Sequence, residues 1–181
     1  MMKFLVVILI SIASFAHAEE RSYTFPNKAY TITFPCLGLL DEKTTYFYEY
    51  TAYTANIQCN QIGVTYSVVY HEYKNLDGID SATEEDKYYF LRQFRDMVRE
   101  GYAGDTEGFD LKDEKPTTIG NKTAIRYTLS GNTMNTGKLK VESAVMLDGM
   151  NALYLSSSFV KDLEIQKDFE NFLNSIKAGK R

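Results

Sequence analysis

The residue types that carry out acid–base and nucleophilic catalysis are sparse in this sequence of 181 residues. His17 and His71 are its two histidines, and no G-x-S-x-G segment presents a serine for attack. A serine hydrolase needs a base beside its nucleophile, whereas we expect His71, next to Glu72 at the end of a predicted strand, to face solvent. No G-x-G-x-x-G or Walker-type loop is present to hold a phosphate. The sequence therefore predicts no catalytic residue and no cofactor.

Acidic residues gather around Gly78 in a way that superficially suggests a calcium loop. The cluster consists of Asp77, Asp80, Glu84, Glu85 and Asp86. An EF-hand places its oxygen ligands at alternate positions over a loop of about twelve residues that ends in glutamate, and this run does not match that spacing. Capping and charge at the start of a helix explain the cluster better, so we predict no metal site.

The sequence has two cysteines, Cys36 and Cys59. In an exported protein an even pair of this kind favours a disulfide, which would close a loop of about 23 residues and stabilise the fold by about 3 kcal/mol. Two buried free thiols are the alternative, and a metal pair fits less well because His71 is the only histidine beyond the leader described below.

Tyrosine is the residue type with the most unusual distribution. Seven of the fourteen tyrosines lie between Tyr46 and Tyr73. Tyr46, Tyr48 and Tyr50 are predicted on one face of a strand, and Tyr66 and Tyr70 on one face of the next. Exposed, this face would suit a partner protein, a glycan or a small apolar ligand, because tyrosine buries much area at low entropic cost. The alternative is that the face lies beneath a helix and forms core.

The first 18 residues have the three-part pattern of a cleavable signal peptide. Lys3 precedes an apolar run over residues 4–12, and Ala16-His17-Ala18 places small residues at the cleavage positions. A membrane anchor is the alternative, but a span needs about 20 apolar residues, and this stretch ends by residue 16. We therefore expect a soluble periplasmic or secreted protein, with residues 19–181 as a single domain.

Charge limits the classes of partner. The full sequence has 20 basic and 24 acidic residues, and removal of Lys3 with the leader leaves 19 basic residues and a net charge of −5. Nucleic-acid binding needs a basic face, and binding to anionic lipid needs one too. We expect no nucleic-acid partner and no stable membrane insertion, although a local basic patch remains compatible with this balance.

The amino-terminal half is predicted to be strands followed by a helix. Strands are expected over residues 23–25, 29–34, 44–54 and 63–73, the last two as partners. A helix is expected over residues 82–100, with Ser81 and Glu84 as a capping box and Gly101 as its stop. Its buried stripe is predicted from Phe90, Phe94, Met97 and Val98.

The carboxyl-terminal half is predicted as a strand meander and a second helix. Strands are expected over residues 109–112, 122–130, 138–147 and 151–159, with Asp148-Gly149 as a hairpin turn. Asp162 would cap the final helix, whose apolar face consists of Ile165, Phe169, Phe172, Leu173 and Ile176. This order predicts an α+β fold in which an antiparallel β-sheet is flanked by two amphipathic helices.

Three segments resemble PsbP-like domains. Residues 30–35 (YTITFP) are similar to the Y-x-I-x-F-P strand that opens many of them, and residues 119–124 (IGNKTA) to their G-x-x-A strand start. Residues 169–177 (FENFLNSIK) resemble their final F-x-x-F-L-x-S-I-K helix. The resemblance implies an α/β/α sandwich and a binding or assembly role of the kind found in photosystem II accessory subunits. The motifs are packing motifs, so they imply no functional residues.

Together these features favour an exported, non-catalytic binding or accessory module with an unknown partner. A carrier that holds a small apolar ligand between sheet and helix is the alternative, and a hydrolase of unknown substrate comes third. Patterns in the sequence do not identify the ligand.

Overall fold

The computed structural model describes residues 21–27, 29–59, 63–74, 81–103, 106–133, 137–149, 151–160 and 166–179. The predicted leader, Asp77, Asp80 and Asp162 lie outside these residues. In chain order the elements are β1 (Arg21–Thr24), β2 (Tyr30–Phe34), β3 (Leu39–Tyr46), β4 (Tyr50–Cys59), β5 (Val64–Tyr73), α1 (Glu84–Ala103), β6 (Thr106–Ile119), β7 (Lys122–Thr133), β8 (Gly137–Asp148), β9 (Asn151–Val160), α2 (Gln166–Asn174) and β10 (Lys177–Ala178).

Seven of these strands form one antiparallel sheet in the order β3-β4-β5-β9-β8-β7-β6. It consists of two meanders, β3 to β5 and β6 to β9, which meet where β5 pairs with β9. A second sheet, in the order β1-β2-β10, is small. Two helices and antiparallel sheets make this an α+β fold, as predicted.

The large sheet is hydrophobic on both faces, as the alternation along β9 shows. Ala152 and Tyr154 pack in the same cluster as Leu91 and Phe94 of α1. Leu153 and the other residues of the opposite parity pack with β1, β2 and α2. Alternate residues of a strand point to opposite faces, so the sheet separates an α1-side core from an α2-side core. Each large side chain buried there contributes roughly 1.5–3 kcal/mol.

Helix α1 begins at a different cap from the one predicted. The Asp86 backbone N–H donates to Thr83 Oγ1 at 3.2 Å, and the Thr83 N–H donates to the Asp86 carboxylate at 3.3 Å. Thr83 and Asp86 therefore form the capping box, and the prediction of Ser81 and Glu84 is wrong. Glu84 instead forms an ion pair with Lys87 at 2.8 Å.

The buried face of α1 also differs from the predicted stripe. Leu91 is fully buried beside Phe94, whereas Met97 is 41% exposed. The helix continues past Gly101 to Ala103, so the predicted stop is wrong. A glycine within a helix lowers its stability only modestly, and the residues packed on the sheet outweigh that cost.

The predicted strand over residues 44–54 is two strands. β3 and β4 are antiparallel partners that meet at a turn over residues 47–49, where the Phe47 N–H donates to the Tyr50 carbonyl at 2.9 Å. The tyrosines at positions 46, 48 and 50 thus do not share one strand face. The partnership of the second strand with β5 is confirmed.

Strand β6 spans 14 residues, where a short strand over residues 109–112 was predicted. It contains a bulge between Lys112 and Lys115, at which Asp113 has a φ of 54°, and it continues through Pro116. Proline is tolerated because β6 is an edge strand, whose outward N–H groups need no ladder partner.

The two edges of the large sheet differ. β3 keeps an unbroken register with β4 from Leu39 to Tyr46, whereas β6 is interrupted by its bulge and by Pro116. Charges at Asp41, Glu42 and Lys43 occupy the middle of β3. Bulges, prolines and charges are the usual devices that keep an edge from pairing.

A disulfide joins Cys36 and Cys59, as predicted, with their Cα atoms 5.9 Å apart. Cys36 follows β2 of the small sheet, and Cys59 ends β4 of the large sheet. The bond therefore links the two sheets covalently.

Candidate functional site

The turn between β3 and β4 presents a cluster of aromatic side chains, which we call the aromatic tip: Tyr46, Phe47, Tyr48 and Tyr50. Tyr46 is 78% exposed, Phe47 44% and Tyr48 92%, and Tyr50 is half-buried. The register places Tyr46 on the sheet face of Thr51 and Glu72, whereas Phe47 stacks on Tyr50 of the opposite face. The turn thus exposes aromatic rings on both sides of the sheet, and exposed apolar area of this kind marks binding sites.

The aromatic tip is supported from below by a stack of rings. Phe47 stacks on Tyr50 with ring centroids 4.4 Å apart, and Tyr50 stacks on His71 at 4.5 Å. His71 in turn meets the edge of Phe94 on α1 at 4.8 Å. Contacts of this geometry are favourable beyond the area that they bury, so the stack ties the turn to the α1-side core.

His71 is buried, so the expectation that it faces solvent is wrong. It lies between Tyr50 and Phe94 because α1 covers this part of the sheet. Burial lowers the pKa of His71 to about 4, since the charged imidazolium is poorly solvated there. Its Nδ1 atom lies 3.4 Å from the Tyr73 hydroxyl. The ring, stacked on Tyr50 and edged by Phe94, serves as a packing residue between β4 and α1.

Tyr73 lies beside this stack. It tilts against Tyr50 with centroids 5.2 Å apart and meets Phe90 of α1 at 5.8 Å. Burial, followed by the nearby Tyr50 and Glu49, raises the pKa of Tyr73 to about 12. Tyr73 therefore remains protonated and can act as a hydrogen-bond donor throughout the physiological range.

Tyr66 and Tyr70, predicted as candidates for partner binding, lie in the α2-side core with 0% and 1% exposure. Tyr66 meets Phe172 of α2 at 5.1 Å, and Tyr70 meets Tyr30 of β2 at 5.9 Å. The alternative interpretation, that this face supplies core, applies to these two residues. They cannot contact a partner while the small sheet and α2 cover them.

Tyr53 extends the tyrosine-rich end of the sheet toward solvent. Its ring stacks against Tyr70 at 6.1 Å, and its hydroxyl donates to the Glu72 carboxylate at 3.2 Å. Desolvation, followed by the charge of Glu72, raises the pKa of Tyr53. Tyr53 therefore connects the buried Tyr70 to the charged Glu72.

The described serines do not form a nucleophile site with His71. Ser156 and Ser157 are buried in β9, and Ser158 Oγ donates to the Thr65 carbonyl at 3.4 Å. Within the described ranges, no cluster of three or more His, Cys, Asp or Glu side chains has the arrangement to hold a metal ion. Nor is any helix there long and apolar enough to cross a membrane.

Two cavities open on the wing of the sheet formed by β6, β7 and β8. One of about 450 Å³ lies at the β6 bulge, and its lining includes Glu114, Arg126 and Glu142. The other, of about 430 Å³, has Lys112, Lys138 and Lys140 in its lining. Both linings are rich in charge, in contrast to the aromatic tip.

Comparison with known proteins shows which known fold this architecture resembles. No protein-family model matches the chain, and no curated protein sequence does. The solution structure of cyanobacterial PsbP (CyanoP) from Synechocystis sp. PCC 6803 superposes with a TM-score of 0.59 over 94% of this chain and 98% of that one. The chain has a PsbP-like fold. Sequence identity to the cyanobacterial protein is 14%, so the similarity concerns the fold and transfers no functional residue.

A second solved structure is also similar to this chain. A crystal structure from Bacteroides thetaiotaomicron VPI-5482 matches with a TM-score of 0.52 and 12% identity over 91% of this chain. The match covers 49% of that protein, so the chain spans about half of its length. The match to cyanobacterial PsbP confirms the sequence resemblance to PsbP-like domains at the level of fold.

The aromatic tip was only partly predictable. Tyr46, Tyr48 and Tyr50 were candidates for a partner-binding face, but Phe47 was missed because the turn was taken as strand. Residues 47–49 contain no glycine, proline or Asn-Gly pair, the usual signals of a hairpin turn. The sequence did contain one indication of the exposed turn, namely the run of large aromatic side chains from Tyr46 to Tyr50, because one strand face cannot bury so many.

Proposed function

We propose that the protein is an exported, non-catalytic binding or accessory module, a single domain with the α/β/α sandwich arrangement, that docks its partner through the aromatic tip. The observation that carries this proposal is the exposure of Tyr46, Phe47 and Tyr48 on a turn whose rings continue into the core. Rigid aromatic anchors bind at low entropic cost.

The position of the tip supports a docking role rather than a folding role. An exposed ring such as Tyr48 contributes little burial to the folded chain, yet it keeps apolar surface in contact with water. Interfaces are enriched in tyrosine and phenylalanine, and a few such residues carry most of the binding energy. The hydroxyls of Tyr46 and Tyr48 provide the polar rim.

Two features support export. The leader pattern over residues 1–18 predicts it, and the Cys36–Cys59 disulfide suits an oxidising compartment. We therefore place the module in the periplasm or outside the cell.

The competing functions have less support. A carrier of an apolar ligand needs an enclosed apolar cavity, whereas the cavities at the β6–β8 wing are lined by charged side chains. A hydrolase needs a base near a nucleophile, whereas His71 is enclosed in a ring stack and burial makes it a weak base by lowering its pKa to about 4.

The test is loss of a native complex. The protein would be purified from its own host and examined by native mass spectrometry, and the affinity for the partner that accompanies it would then be measured. Replacement of Tyr46 and Tyr48 by serine should weaken that affinity by about 2 kcal/mol or more, because truncation of central aromatic anchors has effects of this size.

The matched control is a double variant at two exposed apolar residues outside the tip, Leu39→Ser with Tyr89→Ser. These side chains are 85% and 63% exposed, so both double variants should keep the thermal stability of the parent. An unchanged affinity in the tip variant, or an equal loss in the control, would show that the aromatic tip is not the docking surface.

A further inference from the structure

A groove lined by lysines runs along β7, at the opposite edge of the sheet from the aromatic tip. Its walls are Lys112 on β6 and Lys138 and Lys140 on β8. Its floor is formed by Ser130 and Asn132 on β7, and Thr128 follows on the same face of that strand. We call this surface the basic groove.

The register of the strands places these side chains on one face. Lys112 pairs with Thr128, Lys140 with Ser130, and Lys138 with Asn132. Directly paired residues of antiparallel strands point to the same side, and β7 lies between β6 and β8. Long cationic side chains therefore stand on both sides of a row of short ones.

The same sheet face carries cations that are held in place by aromatic rings. Lys140 Nζ lies 5.7 Å from the centroid of Phe159, and the Arg126 guanidinium lies 5.5 Å from the centroid of Phe169 on α2. Contacts of this kind orient a cation and leave part of its charge available. Arg126 also forms an ion pair with Glu170.

Two of the wall lysines have no ion-pair partner among the described residues, namely Lys112 and Lys138. Lys140 lies 3.2 Å from Glu142, and Asp110, which pairs with Ser130, stands on the wall opposite Lys140. Three lysines against Asp110 and Glu142 give the groove a net charge of +1, in a chain whose net charge is −4. Like charges gathered in a concave site attract an anionic partner and raise its association rate.

We propose that the basic groove binds an extended acidic peptide segment of a partner protein. Lys138 and Lys140 are two residues apart on one strand face, which separates them by about 6.6–6.8 Å. Alternate side chains of an extended peptide have this same spacing, so a segment lying along β7 can offer one carboxylate to each lysine and a third to Lys112. The hydroxyls and amide of the floor can bind its backbone.

The experiment measures binding of a labelled acidic peptide to the full chain by fluorescence anisotropy. The probe is a peptide of alternating glutamate and serine, about ten residues long, which is extended and spaced as the groove requires. A peptide of alternating glutamine and serine serves as the uncharged probe. Affinity should fall as ionic strength rises from about 20 mM to about 200 mM, because exposed charge pairs are screened.

The variant Lys112→Gln with Lys138→Gln should weaken binding of the acidic peptide roughly tenfold. It leaves the Lys140–Glu142 pair intact, so the fold is not disturbed. The control Lys43→Gln with Lys74→Gln removes the same charge from exposed positions elsewhere and should leave the affinity near that of the parent. Amide resonances of Thr128 and Ser130 should shift on titration.

Three outcomes would overturn the proposal: no binding of the acidic peptide at low salt, equal losses in the two double variants, or binding of a sulfated polysaccharide in the groove without binding of the peptide. The groove and the aromatic tip lie at opposite edges of the sheet, so either site can fail its test while the other passes.

Discussion

At the scale of single residues, the one histidine beyond the predicted leader has a different role in the structure from the one predicted. His71 has the chemistry of a base, but its ring is stacked on Tyr50 and edged by Phe94. Burial keeps the imidazole neutral. Sequence patterns identify a strand at this position but not the helix above it, which is why the burial of His71 was not predicted.

The lowered pKa of His71 makes the stability of the protein dependent on pH. The folded-state pKa of about 4 lies below the ordinary value of 6.5, so between these values the unfolded chain binds a proton that the folded chain does not. Stability should therefore be retained above pH 6.5 and lost as pH falls to 4, by about 3 kcal/mol. Urea unfolding of the parent at pH 7 and pH 4 measures this loss.

His71→Phe is the matched control, because it keeps the ring and removes the titrating group. Carboxylates titrate alike in both proteins, so the difference between the two pH dependences isolates His71. Parallel curves for parent and variant would contradict the assignment.

At the scale of elements, the start of α1 shows how closely spaced residues compete for one role. Ser81 and Thr83 both precede acids by three residues, and both are suitable caps. The packing of Leu91 and Phe94 on the sheet determines where the first turn lies, and Thr83 and Asp86 then form the capping box. A sequence pattern identifies such a helix but not its first residue.

Removal of this cap should destabilise the protein. Thr83→Ala leaves helix N–H groups without their acceptor, and we expect a loss of about 1 kcal/mol in the free energy of unfolding. Thr83→Ser retains the hydroxyl and should stay within a few tenths of the parent. Chemical denaturation of the three proteins measures the effect, and equal losses in both variants would mean that the hydroxyl is not the cap.

Among the elements, those with strong patterns were predictable and those defined by long-range pairing were not. β7, β8 and β9 have alternating residues and the Asp148-Gly149 turn, where Gly149 has a φ of 56°, and their predicted positions are confirmed within a few residues. β6 was largely missed because Pro116 and its many charges oppose strand formation locally. β10 pairs through only two residues with β2, and no local pattern indicates so short a strand.

At the scale of the whole molecule, the Cys36–Cys59 bond adds a covalent link to the hydrophobic core that the small and large sheets share. The sequence predicted the pair from number and compartment, but not that the bond would join two sheets. The bond closes a loop of 23 residues and so restricts the conformations of the unfolded chain.

Loss of this bond should lower stability throughout the accessible pH range. The double variant Cys36→Ser with Cys59→Ser should lose about 3 kcal/mol, the value expected for a loop of this length. Urea unfolding without reductant measures the loss, and the parent in reductant should match the variant. If the oxidised parent and the variant unfold at the same urea concentration, the bond contributes nothing to stability.

The unlike edges of the large sheet limit how many copies or partners can join it. An open row of molecules grows only when each member accepts a strand at both sides. Here β3 has an unbroken register, whereas β6 has a bulge and Pro116. A strand added at β3 therefore ends growth at the first addition. Since charges also occupy the middle of β3, the large sheet permits at most a pair of copies at that edge and opposes a fibril.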